Sequence, residues 1–180
     1  MTNFSRRIPA EWEKHEITLL SFPPDGKDWP TKYTAIKWVY IEIIKKLSCY
    51  EPVLLLVKSE KLKETVNGML EQAHVDRKKV RFIIKDTNRS WMRDSGPIIV
   101  KGPAGRREAL NFSFNGWAKY PNYKKDKGVS EAVASFLKIP LIPKIQFAFK
   151  IPFAKRHEFN GQHYWEIGKR GYSLMKIRCI

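Results

Sequence analysis

One loop of this 180-residue chain concentrates side chains that can hold a cation. It spans residues 86–97 between two predicted strands, where binding residues often sit on a rigid scaffold. Asp94 precedes a Ser-Gly-Pro turn, and its carboxylate can accept two parallel hydrogen bonds from a planar guanidinium. Trp91 offers an aromatic face for a cation–π contact. The loop therefore predicts a cation site whose ligands are Asp94 and Trp91.

The same residue types also fit an ordinary loop with no ligand. In that interpretation Arg93 pairs with an acid, Trp91 fills the core and Asp94 caps a turn. Residue types alone leave the two interpretations open.

Two further segments carry aromatic or titratable side chains. Residues 112–121 contain Asn115-Gly116, a turn signal that tolerates positive φ, and aromatic side chains that either wall a pocket or pack together. Residues 9–16 lead into the first predicted strand and include His15. A histidine among charged neighbours is typical of a solvated surface position, so we assign it no chemical role.

Hydrophobic periodicity predicts an α/β fold that positions these loops. The predicted elements, in chain order, are a strand at 17–22, a helix at 31–48, a strand at 53–57, a helix at 59–73, a strand at 80–84, a hairpin of 97–101 and 109–114, a helix at 130–137 and a strand at 145–149. Strands that alternate with helices indicate parallel pairing, and the hairpin makes the predicted sheet mixed. From about residue 152 the pattern predicts no further element.

The helical spacing also predicts which side chains face the core. In the first helix the predicted inward stripe is Tyr33, Ile36, Tyr40, Ile43, Ile44 and Leu47. In the second helix, with Ser59 as its N-cap, it is Leu62, Val66, Met69 and Leu70.

Composition excludes several classes of protein. A hydrophobic share of 43% and a charged share of 29% are typical of a globular domain. Two cysteines cannot build a disulfide framework or a four-cysteine zinc site. No apolar run approaches the ~20 residues that span a bilayer, and no secretory signal precedes the first strand. We therefore expect a cytoplasmic protein with no membrane partner.

The formal net charge of +16 is unevenly distributed. Residues 1–94 carry a net charge of +5, and residues 95–180 carry +11. Such an excess suits either a solvated basic surface or a polyanionic partner. Because the basic residues are not gathered in one arm or helix and no nucleic-acid motif is present, we favour the solvated surface.

Three ordered motifs resemble the agmatine deiminase family, also called bacterial-type peptidyl-arginine deiminases. Residues 9–16, continuing through Phe22-Pro23 and Trp29-Pro30, are similar to the start of the family. Residues 86–97 resemble its signature loop, and residues 114–121 resemble the segment that follows. The resemblance covers about residues 6–150 and the N-terminal part of the family alone.

The resemblance implies a pentein fold, in which five ββαβ units surround a central active site. It also implies hydrolysis of agmatine to N-carbamoylputrescine and ammonia in polyamine synthesis. The reaction proceeds through a cysteine thiolate, a histidine and acidic residues, without a metal or organic cofactor. By motif position Asp94 resembles the guanidinium-binding aspartate, and Trp91 resembles the tryptophan that lines the pocket.

The chain departs from the family pattern after the third motif. The Glu-Gly-Gly segment of the family is missing near residue 155, and Glu158, which lacks the two glycines, is the candidate for its acid. Neither Cys49 nor Cys179 has the sequence context of the nucleophile, and the His-x-Asp motif is not found after the signature loop. We therefore expect a partial pentein of roughly two units at 1–151 and a divergent, frame-shifted or disordered tail at 152–180.

These observations leave three functional hypotheses. The first is an agmatine deiminase-like hydrolase that binds a cationic guanidinium substrate but is inactive alone, since its nucleophile and histidine are missing. The second is a basic module that binds nucleic acid or another polyanion. The third is a non-catalytic partner subunit in an oligomer that supplies the missing residues.

Overall fold

The apolar run Val53–Val57 forms the centre of a parallel sheet in the computed structural model, which describes residues 6–10, 12–142, 154–159 and 162–167. The sheet consists of β1 (Thr18–Ser21), β2 (Val53–Val57) and β3 (Val80–Ile84), in the order β1-β2-β3. In its register Leu55 lies opposite Leu20 on one side and Phe82 on the other. All five residues of β2 are buried, as predicted for a strand covered on both faces.

Two helices cover one face of this sheet. They are α1 (Tyr33–Ser48) and α2 (Glu60–Gln72). Val66 and Leu70 of α2 pack in one apolar cluster with Leu55 of the sheet, as the sequence predicts. The predicted N-cap is confirmed as well, since the Ser59 hydroxyl accepts the Leu62 backbone N–H at 3.2 Å.

The predicted stripe of α1 is partly wrong. Ile44 is buried as expected, but Ile43 is 41% exposed and Ile41 is buried instead. Because α1 also carries exposed Trp38 and Val39, it is apolar around much of its circumference. Periodicity on such a helix gives the repeat but not the rotation, which the contact with the sheet decides.

The other face of the sheet packs on the last helix of this unit and on the signature loop. Val129 and Val133 of α4 (Val129–Leu137) share a cluster with Leu54 of β2. Met92 belongs to the same cluster, so the loop that carries the candidate site is anchored in the core.

A second sheet follows the loop. It contains β4 (Ile98–Lys101) and β5 (Arg107–Leu110) as an antiparallel hairpin, with β6 (Leu141–Ile142) parallel to β5. The hairpin is confirmed, but its second strand begins two residues before the predicted one and ends at Leu110. The tight connection, with Ala104 and Gly105 at φ of 56° and 72°, lets pairing start that early.

The predicted single mixed sheet is therefore two separate sheets within residues 6–10 and 12–142. The short strand β6 was not predicted, and the strand predicted at 145–149 lies outside the described residues.

The remaining described residues belong to a second compact unit. They form an antiparallel hairpin of β7 (Ala154–Phe159) and β8 (Gln162–Ile167), where the sequence pattern predicts no element. Across the described parts of both units, no helix has the length and apolar character that a membrane span requires.

Candidate functional site

The signature loop leaves the carboxyl end of β3 and closes on a short helical turn, α3 (Met92–Ser95), which the sequence pattern did not predict. The backbone N–H of Gly96 donates to the carbonyl of Met92 at 2.9 Å. A Cβ at Gly96 would lie 2.6 Å from that carbonyl oxygen, so only glycine allows this close approach. With Met92 buried, the turn directs Arg93 and Asp94 toward solvent, and both are exposed.

Asp94 is held by a residue from the following motif. Its Oδ1 accepts a hydrogen bond from the indole Nε1 of Trp117 at 3.1 Å. Within the part of the chain that the structure describes, no other donor contacts this carboxylate and Arg93 forms no ion pair with it. The carboxylate is therefore oriented by one neutral donor and keeps its negative charge open to a ligand.

Trp91 lies on the solvent side of an aromatic stack. Trp91 is 47% exposed, so it does not fill the core. Its centroid lies 6.3 Å from that of Trp29, at an interplanar angle of 46°. Trp29 contacts Tyr40 of α1 at 6.5 Å, edge to face. Trp29, which belongs to the first motif, thus packs against Trp91. The exposed part of the Trp91 indole remains available to a cation.

The segment after β5 has an unusual backbone. Gly116 and Trp117 both adopt positive φ, at 66° and 59°. A left-handed conformation costs a residue other than glycine about 1–2 kcal/mol, so other contacts must maintain Trp117 there. Its ring packs edge to face on Phe114 at 5.0 Å and on Tyr120 at 5.9 Å. This geometry brings the indole N–H to Asp94 and confirms the predicted turn. Of the two alternatives left open for the aromatic side chains, the structure shows packing.

Arg89 was not predicted as a site residue, although it lies in the signature loop. Its guanidinium forms an ion pair with Asp28, donates to Asn122 Oδ1 at 2.8 Å and lies 4.7 Å from the centroid of the Tyr120 ring. The Arg89 and Asp28 side chains are each 14% exposed. No spacing rule connects these positions, since Arg89 is 61 residues from Asp28 and 33 from Asn122.

Asp126 holds the start of the signature loop, and the sequence did not predict this role either. It is fully buried, and its Oδ1 accepts the backbone N–H groups of Asn88 at 2.6 Å and of Arg89 at 3.3 Å. In return Asn88 Oδ1 accepts the Lys125 N–H at 3.0 Å. Burial raises the pKa of Asp126, against the opposing effect of these hydrogen bonds and of the nearby Arg89 and Lys85 charges.

A polar cavity of about 260 Å³ opens where β1, β2 and β3 end. Ligands of parallel sheets bind at such carboxyl ends. Two of its lining residues, Lys125 and Asp86, form an ion pair that raises the pKa of Lys125. Neither Asp94 nor Trp91 lines the cavity.

Three further candidates came from the sequence. Glu158 is in β7, opposite His163, and the prediction for its side chain lies outside the described residues, as does Cys179. Cys49 follows α1, is exposed and donates its thiol hydrogen to the Lys45 carbonyl at 3.3 Å.

His15 is not the solvated residue that the sequence predicts. Its Nδ1 lies 3.0 Å from Glu51 Oε2, and its side chain is only 28% exposed. Glu51 also accepts the hydroxyl of Thr18, so His15 belongs to a polar group at the start of β1.

Comparison with known proteins places this geometry in context. The model of the Porphyromonas-type peptidyl-arginine deiminase family matches residues 7–149. A curated relative from Selenomonas ruminantium, whose name refers to agmatine deiminase, is 29% identical over 137 residues, which are 72% of this chain and 36% of the relative. The chain thus spans little more than a third of the length of that relative.

Solved structures agree with the sequence comparison. The C. jejuni agmatine deiminase, as a cysteine-to-serine variant with substrate bound, is 30% identical with a TM-score of 0.68. That match covers 82% of this chain and 41% of the C. jejuni chain. An agmatine deiminase of Enterococcus faecalis, at 18% identity and a TM-score of 0.67, shares the fold over 78% of this chain and 38% of its own.

Proposed function

This chain belongs to the Porphyromonas-type peptidyl-arginine deiminase family, and from that premise we propose that it binds the guanidinium group of agmatine or a related guanidine at Asp94 and Trp91. The observation that carries the proposal is that the exposed Asp94 carboxylate, oriented by the Trp117 indole, belongs to the helical turn that begins at the half-exposed Trp91. A planar cation can donate to the carboxylate and lie against the ring at the same time.

The family match also supports a proposal about the architecture of the chain. We propose that residues 1–151 correspond to the N-terminal part of a pentein domain, roughly two of its five units, since the match covers 41% of the C. jejuni chain. Residues 152–180 then form a divergent segment, in which the role of Glu158 as the second acid stays a prediction.

Hydrolysis needs more than this site. A deiminase of the proposed mechanism requires an activated thiolate with a base nearby. Cys49 bonds the carbonyl of its own helix, and neither it nor any other described residue matches the family nucleophile. We therefore propose that the chain binds a guanidine without converting it to the ureido product, so that N-carbamoylputrescine and ammonia are not released.

Calorimetry with agmatine tests the binding proposal. Asp94→Asn removes the charge but keeps the acceptor for Trp117, so we expect agmatine affinity to fall about tenfold or more, or at least ~1.4 kcal/mol. Glu64→Gln, which removes one charge from an exposed position of α2, is the matched control and should leave affinity unchanged. Equal affinity of Asp94→Asn and the unmodified chain would refute the assignment.

A second ligand and a product assay complete the test. Putrescine carries ammonium groups but no guanidinium, so it should bind more weakly than agmatine if the planar group is recognised. An ammonia-release assay with the full chain should give no turnover above background. Robust release of ammonia would show that the proposed lack of catalysis is wrong.

A further inference from the structure

We propose that Arg89 is the positioning residue of the guanidinium site, and that its side chain sets the spacing of Trp91 and Asp94 by tying together the segments that support them. The proposal rests on the function proposed above, because it concerns the same site. It adds a role for a residue other than Asp94 and Trp91, the two side chains proposed to bind the guanidinium.

The first step is the geometry of the Arg89 side chain itself. Its planar guanidinium donates to Asp28 and to Asn122 through different nitrogen atoms and covers the Tyr120 ring. A guanidinium has its donors at fixed angles in one plane, so three simultaneous contacts define its position and orientation. A lysine ammonium has no planar group that can stack on an aromatic ring, and its donors are not held at fixed angles in one plane.

The second step is that two of the three partners, Asp28 and Tyr120, adjoin a support of the site. Asp28 immediately precedes Trp29, whose ring supports Trp91. Tyr120 packs on Trp117, which donates to Asp94. One guanidinium therefore connects the support of the aromatic face with the support of the carboxylate.

The third step is that the base of the Arg89 side chain is itself held. Its backbone N–H donates to the buried Asp126 carboxylate, so the side chain extends from an anchored point of the loop. Asp28 also compensates the charge of Arg89, so the positive side chain need not repel a cationic ligand.

Circular dichroism reports the spacing between Trp29 and Trp91 in the absence of a ligand. Two indoles tilted at 46° with centroids 6.3 Å apart couple their transitions and give an exciton couplet. Its amplitude depends on the distance and angle between Trp29 and Trp91. Trp29→Phe identifies the couplet in the spectrum, because it removes one member of the pair.

The experiment compares Arg89→Met, Arg89→Lys and the control Arg81→Met in the full chain. Arg81 is exposed on β3, so its substitution matches the change in charge and chemistry away from the site. We expect Arg89→Met to lose most of the couplet amplitude and to bind agmatine at least tenfold more weakly. Arg89→Lys should not fully restore either the couplet or the agmatine affinity. Arg81→Met should keep the couplet and an agmatine affinity within twofold of the unmodified chain.

A role in stability alone gives a different pattern. It would lower the urea midpoint of Arg89→Met but leave the couplet and the agmatine affinity of the folded variant intact, and that result would overturn the proposal. If Arg89→Met does not fold, Asp28→Asn, which removes the charge of the partner, must weaken the couplet in the same way.

The two proposals can fail separately. Absence of agmatine binding by the unmodified chain would reject the proposed function, while the couplet of the variants would still decide whether Arg89 sets the spacing. Binding that is unaffected by Arg89→Met, with an unchanged couplet, would reject the positioning role alone.

Discussion

Two regions of the first unit are held together by different forces. The framework, which is the parallel sheet β1–β3 with α1 and α2, is built around β2, whose five residues are all buried and apolar. The site loops, residues 86–97 and 112–126, are joined by directional bonds such as those of Asp126 to Asn88 and of Trp117 to Asp94. Burial is non-directional and tolerates small shifts, whereas a hydrogen bond is lost when one atom is removed. The framework should therefore respond to changes in volume, and the site loops to changes of single polar atoms.

The largest expected effect is in the framework. Leu55→Ala removes a fully buried side chain from the central strand, and we expect the free energy of unfolding to fall by about 3 kcal/mol. Leu55→Met, which nearly conserves volume, should cost less than about 1.5 kcal/mol. Urea unfolding followed by far-ultraviolet circular dichroism measures both. Agmatine affinity of folded Leu55→Ala should not change, and a parallel loss of affinity would show that the two regions are not separable.

Asp126 tests the site loops by removal of one acceptor. Asp126→Ala leaves the backbone N–H groups of Asn88 and Arg89 without their partner, which we expect to cost about 2 kcal/mol and to abolish agmatine binding. Asp126→Asn keeps Oδ1 as an acceptor and should preserve binding. Denaturant unfolding together with calorimetry distinguishes the variants. A loss of binding in Asp126→Asn equal to that in Asp126→Ala would contradict the argument.

The pH dependence of the same residue has a definite sign. Burial raises the pKa of Asp126, so above the ordinary value of about 3.9 the native state holds this proton more readily than the unfolded state. The contribution of Asp126 to stability therefore decreases as pH rises from about 3.9 through the raised pKa. Relative to the unmodified chain, Asp126→Asn should gain stability over that interval, as pH-dependent urea midpoints will measure. A constant difference would mean that the pKa is not raised.

The smallest effects come from one substitution made in both regions. Gly68 lies within α2 with nothing within 4 Å of an added Cβ, so Gly68→Ala should stabilise the chain by about 0.5–1 kcal/mol. Gly116 has φ of 66°, and its Cβ would lie 2.9 Å from the Tyr123 ring, so Gly116→Ala should destabilise it by about 1–2 kcal/mol. Thermal unfolding compares the two, and effects of the same sign would remove the contrast between framework and loops.

Prediction from the sequence succeeded best where a local pattern had one physical solution. The bounds of β2 and β3 agree with the prediction because short apolar runs between turn signals have few alternatives as buried strands. The stripe of α1 was partly wrong, since Ile41 and Ile43 are equally apolar and the choice between them depends on the sheet. The early start of β5 depended on a connection that contains two left-handed residues, Ala104 and Gly105, which strand propensity does not report.

For the candidate site, the sequence by itself determined the residue types: a carboxylate and an indole in one loop, a glycine turn with aromatic side chains in the next, and motifs that identify the family. Only the tertiary structure decided that Trp117 bonds Asp94, that Trp29 supports Trp91 and that Arg89 joins Asp28 to Tyr120. These contacts connect residues far apart along the chain, and their geometry depends on how the loops leave the sheet. Local patterns reflect local conformational preferences, whereas such pairs form only after the core has brought the loops together.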